Sequence, residues 1–206
     1  MIQVRMIIEG TMPMFCHRAT EEALTGETRK NNPTEREDPR VIAERGVYRL
    51  PNKQIAFPGS AIARMTREAG GSHKVKGSRK TLKWLVPAAL AVKDDLIPLF
   101  LHDRKTKIMD FEVDSRPVTI PATKGRVMRH RARINEWAAI INLQINETII
   151  AEALMRQMMN EGLEQLGLGD FRPEKGGSFG VSALVAWDVV SAPKPMTVAQ
   201  VRNSAA

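Results

Sequence analysis

The segment RVMRHRARI carries Arg126, Arg129, Arg131 and Arg133 within eight residues. At the two-residue period of a β-strand, Arg129, Arg131 and Arg133 leave on one side, and Met128, His130, Ala132 and Ile134 on the other. Guanidinium groups lined up in this way repel one another unless anions lie opposite, and their planar fork suits carboxylates and phosphates alike. A second cationic stretch, SHKVKGSRKTLK, holds His73, Lys74, Lys76, Arg79, Lys80 and Lys83 without one acidic residue, more than solubility requires. Arg64 and Arg67, three apart in AFPGSAIARMTREAGG, share one helix flank just before it. Internal salt bridges are the bland explanation for such residues; the phosphates of a polynucleotide are the functional one. Aromatic residues make up only 5% of the chain, and Phe171 and Trp84 are the rings available for stacking. That composition favours holding a backbone over reading bases.

Other chemistries find little support. His17, His73, His102 and His130 are scattered, and Cys16-His17 has no second pair at zinc spacing. Cys16 is the only cysteine, so no intrachain disulfide forms, which fits a reducing, cytoplasmic setting. No nucleophile elbow accompanies it. Asp110, Glu112 and Asp114 alternate as a solvated strand face would. GLGDFRPEKGG contains Gly-x-Gly but follows a helix and precedes a strand, the reverse of a dinucleotide fingerprint. Two roles fit it equally: backbone amides and Arg172 set against a phosphate, or a tight helix-to-strand connection. The expectation is a non-enzymatic protein with no metal or cofactor.

Charge points the same way. Thirty-one Lys and Arg against 23 Asp and Glu give +8 and a pI near 9.9, the electrostatic footprint of a polyanion binder. No signal-peptide pattern and no apolar run of about 18 residues is present.

Periodicity supplies the scaffold for these residues. Residues 2–9 alternate as a strand with Ile2, Val4, Met6 and Ile8 on one face. Residues 20–40 are polar and proline-marked, an exposed loop. VYRL and QIAF predict a hairpin over 47–57. The next helix opens at Pro58, buries Ile62, Met65, Thr66 and Ala69, and stops at Gly70-Gly71. TLKWLVPAALAV and LIPLFL read as strands or packed segments, and RPVTIPATKG as an extended connection. The apolar run 137–145 leads to Asn146, a candidate helix N-cap. Beyond it Ile149, Ile150, Ala153, Leu154, Met158 and Leu166 form a stripe ending near Gly167. SFGVSALVAWDVV reads as a buried strand, and the tail 191–206 as loosely held.

The arginine strand, the long helix, GLGDFRP…GGSFG and the closing strand together resemble a family of phage and prophage proteins, which in turn resemble the RAMP superfamily. Within that superfamily the likeness is to the backbone subunits of CRISPR effector complexes. It is strongest over residues 116–190. The resemblance implies an α+β fold: a modified ferredoxin-like (RRM-like) core with an antiparallel sheet, two main helices and inserted loops and hairpins. One domain would cover 1–190, with insertions at about 15–57 and 71–125. It also implies subunits that stack head-to-tail along single-stranded RNA or DNA. Arg129, Arg131 and Arg133 would match the basic strand of that pattern, and Gly167, Gly169, Arg172 and Pro173 its loop. Arg64, Arg67, Lys74, Lys76, Arg79, Lys80 and Lys83 would form one cationic wall and Arg126, Arg129, Arg131 and Arg133 the other, with Arg172 at the loop. Two rival expectations are an inhibitor that mimics a RAMP subunit and binds a protein partner, and a RAMP-type endoribonuclease using His17, His73 or His130.

Overall fold

Alternation puts β1 (Ile2–Gly10) at the centre of the main sheet: Val4, Met6 and Ile8 are buried, while Gln3 and Arg5 are exposed. In this computed structural model the described residues are 1–18, 37–119 and 123–190. β9 (Ala138–Ile145) lies antiparallel on one side of β1, with Met6 opposite Ile141 and Val4 opposite Leu143. β10 (Ser182–Val190) lies on the other, with Met6 opposite Trp187. β6 (Leu96–Phe100), β4 (Ile55–Pro58) and β3 (Tyr48–Arg49) continue past β9, so the order is β10-β1-β9-β6-β4-β3, and β5 (Leu90–Val92) also pairs with β9.

Two helices cover the buried face. α2 (Gly59–Ala69) buries Ile62, Met65, Thr66 and Ala69, the stripe expected from the sequence. α4 (Glu152–Gln165) buries Met155, Met158, Met159, Gly162 and Leu163. The pair touches at Gly162, where a Cβ would come within 3.1 Å of Met65 Cγ. Taken as β1-α2-β6-β9-α4-β10, the core is two split βαβ halves in an antiparallel sheet, the ferredoxin-like arrangement.

A three-stranded sheet, β2 (Met14–Cys16), β8 (Arg126–Ile134) and β7 (Glu112–Thr119), stands beside it, with α1 (Pro39–Arg45) against β8 and β7. A short helix, α3 (Val86–Ala89), precedes β5. Cys16 is buried at this junction, and burial pushes its thiol up to about 12.

Four local expectations change. Asn146 does not cap the long helix; its Oδ1 closes a turn by accepting from Thr148 N (3.2 Å), and the helix begins at Glu152. The buried stripe of α4 is correspondingly rotated, leaving Ala153 exposed. RPVTIPATKG is not a plain connection, because its first residues Arg116–Thr119 belong to β7. β10 is not a buried strand: it ends the sheet among the described residues and exposes Val185, Val189 and Val190. The hairpin over 47–57 is as expected. The polar stretch expected over 20–40 lies mostly outside the described residues, as does the tail 191–206; its end turns helical at Pro39, where Asp38 accepts from Arg40 N (2.7 Å). No helix among the described residues is long and apolar enough to cross a membrane.

Trp137 joins the two sheets. It is fully buried, its indole N–H donates to Met12 O (3.0 Å), and a Cβ on Gly10 would lie 2.2 Å from Nε1. Replacing it, Trp137→Ala, should cost about 3–5 kcal/mol in urea unfolding. Gly10→Ala should be severe in the parent and milder in the Trp137→Ala background, a coupling that a double-mutant cycle measures.

Candidate nucleic-acid interface

β7 and β8 pair in unbroken register from Glu112–Arg133 to Thr119–Arg126. At the base, Ala132 and Ile134 are buried. Further out, no residue from Ser115 to Thr119 or from Arg126 to Arg131 is buried. A strand that buries neither face carries no core; the outer half of this hairpin is an arm reaching into solvent. From Ile134 to Arg126 its length is about 27 Å at a strand's rise per residue.

The arm divides the arginines that sequence periodicity grouped together. Arg126 and Arg129 are exposed and make no ion pair among the described residues; Arg129 faces Arg116 across the ladder. Arg131 turns inward. Its Nε donates to Asp170 Oδ2 (2.6 Å), its side chain is only 11% exposed, and its guanidinium lies 5.9 Å from the centre of the Phe15 ring. Arg133 sits at the base opposite Phe15 and Glu112, with its Nε buried and without a hydrogen-bond partner. Arg131 is thus held within the fold, whereas Arg133 is half-buried and makes no ion pair among the described residues. On the other strand Arg116, held by Asp114 (Nε–Oδ1 2.5 Å), covers Phe15 and Phe179 at 5.2 and 5.0 Å.

The glycine loop is what these groups grip. Gly167 and Gly169 take φ of +71° and +78°, and a Cβ on Gly169 would lie 2.4 Å from Phe15 O. That close approach lets Asp170 N donate to Phe15 O (2.9 Å), while Phe179 stacks on Phe15 at 4.0 Å. Arg172 is turned inward too: Nη1 donates to Gly169 O (2.7 Å) and Nε to Glu174 (2.9 Å). Of the two roles open to this loop, the hydrogen bonds of Arg172 fit the structural one.

On α2, Arg64 lies 3.8 Å from Glu174 and stays 55% exposed, and Arg67 reaches Glu68 at 3.1 Å. Lys83 also takes Glu68, at 2.5 Å. Lys74, Lys76, Arg79 and Lys80 are exposed and form no ion pair among the described residues. This basic loop leaves the C-terminal end of α2 and is tied to α4 by His73 and Glu161 at 2.6 Å. The structure thus brings Arg64, Arg172 and Arg131 to the glycine loop, and the lysines to the far end of α2. On α2 itself, Arg64 and Arg67 both have acids beside them, Glu174 and Glu68.

A cleft of about 290 Å³ opens between β2, the start of α2 and the glycine loop. Its charged lining is paired within the fold, Arg64 and Arg172 with Glu174, and Asp170 with Arg131. Asp110 and Asp114 are likewise bound, to Arg40 and Arg116. Sequence reasoning missed Arg116, Phe179 and Asp170, whose contacts with Phe15 and Arg131 join separate elements. The phenylalanine in SFG was the one local hint.

No family model matches the sequence, and no curated protein does. Solved structures do share the fold. A chain in the cryo-EM structure of the Type III-B Cmr-beta bound to cognate target RNA matches with TM-score 0.58 at 13% identity, over 93% of this chain and 61% of that one. The chain thus spans less than two thirds of its counterpart. Cmr6 from Pyrococcus furiosus matches at TM-score 0.46 and 10% identity (88% and 97% of the two chains). A chain of a Type IV-B CRISPR complex matches at 0.43 and 13% (97% and 98%). The ferredoxin-like fold expected from the sequence is shared with the Cmr-beta chain.

Asp170→Asn should cost about 1.5–3 kcal/mol, the range for a hydrogen bond to a charged group, and loosen the glycine loop. Faster amide exchange at Phe15 and Asp170 reports it. Hydrogen bonds from His73 and then Gln157 hold the Glu161 carboxyl below its ordinary value. That contribution is complete above about pH 4.3 and fades as pH falls through the lowered value. The stability gap between the parent and Glu161→Gln should therefore narrow on acidification, as urea midpoints across that range would show.

Proposed function

We propose that this protein holds single-stranded RNA or DNA by its phosphate backbone, without catalysis, as a backbone-type subunit able to line up with further copies along the strand. The observation that carries this reading is the arm. Arg126 and Arg129 stand at its solvent-exposed end without an acid opposite, while Arg131, nearer the core, is bound within the fold. A surface does not leave two guanidiniums on the arm and four cations on the basic loop without acids for the sake of its own stability; an external polyanion neutralises them. The likeness in fold to a chain of an RNA-bound Cmr-beta assembly supports it.

The rival expectations rank behind it on geometry. For an endoribonuclease, His17, His73 or His130 would serve as acid or base. His17 lines the cleft, while His73 ties the basic loop to α4 and His130 pairs with Ser115 on the arm at 2.7 Å. A protein partner remains the outcome to read if nucleic acid is ignored.

The test is the salt dependence of binding to single strands of about 40 nucleotides, several site lengths at this scale. Arg126→Ala with Arg129→Ala should weaken binding whatever the base sequence and lower the slope of log K against log salt by about 1.4, two phosphate contacts at the single-strand value. Unchanged affinity and slope in the folded double variant would overturn the assignment to the arm.

A further inference from the structure

The basic loop is a built ribbon. Leu82 N donates to His73 O (2.8 Å), Lys74 bridges Thr81, and Val75 N donates to Lys80 O (2.9 Å), with Gly77 at φ +74° in the turn. Val75 and Leu82 pack inward. The ribbon therefore fixes its outer residues, Lys74, Lys76, Arg79 and Lys80, rather than trailing them in solvent.

At the end of this ribbon stands Trp84, 77% exposed. The other two tryptophans are placed differently: Trp137 is fully buried and Trp187 packs partly against the core. Trp84 is not loose. It closes a 3₁₀ turn, Leu82–Trp84, between buried Leu82 and half-buried Leu85, pinned by Leu85 N to Leu82 O (2.8 Å) and Lys83 N to Gly70 O (3.1 Å). Its large ring is thus held out in water at the end of the cationic ribbon. The acids beside it are taken, since Glu68 pairs with Lys83 and Arg67, and Glu161 with His73. The field around the ring is cationic.

We infer that Trp84 is a stacking platform for a base of single-stranded nucleic acid, with Lys74, Lys76, Arg79 and Lys80 holding the adjoining phosphates. This deepens the backbone-holding reading and rests on it. An aromatic face next to a cationic groove is how single strands are held without regard to sequence. Charge complementarity selects the occupant: a protein surface suited to the ring alone would not meet four unpaired cations beside it. Arg64 and Arg67 lie along α2 between the glycine loop and the ribbon. α2 itself spans about 16 Å at a helix's rise per residue.

The experiment is a titration of the full chain with fluorescein-labelled and unlabelled oligouridylate and oligothymidylate of about 12 nucleotides, within known site sizes. It reads anisotropy and tryptophan emission on the parent, Trp84→Phe and Trp84→Ala. The parent should show saturable quenching. Trp84→Phe should lose the quench and keep affinity within about threefold, and Trp84→Ala should weaken binding about tenfold. The salt slope should stay the same in all three, because a neutral ring displaces no counterions; a collapsed ribbon would lower slope and affinity together. Equal affinity in Trp84→Ala and parent, with no quench, overturns the inference and leaves the arm's role standing. A drop in self-association by light scattering, with oligonucleotide affinity unchanged, makes Trp84 a protein contact and also overturns it. Failure of the parent to bind either oligonucleotide at low salt defeats the backbone-holding reading itself.

Discussion

Phe15 is the point on which the molecule turns. It is fully buried in a strand of three residues, yet four parts of the chain meet on it. Phe179 stacks on its ring, Arg116 and Arg131 cover it, and its carbonyl receives the amide of Asp170. The ferredoxin-like core ends on one side of this residue and the arm begins on the other. The glycine loop folded onto Phe15 joins the Trp137 contact, the packing of α1 on β7 and β8, and buried Ala132 and Ile134 in fixing the arm to the sheet.

How much of this the sequence carried depends on the range of the interactions. β1, the stripe of α2 and the hairpin over 47–57 were readable because one face of each is buried and the pattern repeats within a few residues. The end of α4 was readable for the same reason, since Gly167 needs a positive φ. Asn146 misled because an Asx turn and a helix cap use the same side-chain oxygen, and only the backbone path beyond the residue distinguishes them. The arm was hidden in two halves, a proline-marked segment and an arginine strand, neither with an apolar face to announce a partner. Of the twelve cationic residues proposed for the interface, the sequence could not say which would find acids. Asp170 meets Arg131 across 39 positions, a distance no local pattern spans.

The charge surplus is accordingly not spread evenly. Arg131, Arg172, Lys83 and Arg67 stabilise the fold through carboxylates, in part-buried pairs where an interaction counts for more than at the surface. Arg126, Arg129, Lys74, Lys76, Arg79 and Lys80 contribute mutual repulsion to the isolated chain. A molecule built this way carries its binding potential as electrostatic strain at two places, the arm's end and the ribbon.

The arm is also a lever. From the joint at Arg131 to Arg126 is about 17 Å, so a tilt of about 10° there would carry the end through about 3 Å. Any preference for where along a strand the arm lands is then set by angular stiffness at its pivot. The stacked rings beneath Arg116 and Arg131 work as a bearing, and their tightness determines how finely the outer arginines can be indexed.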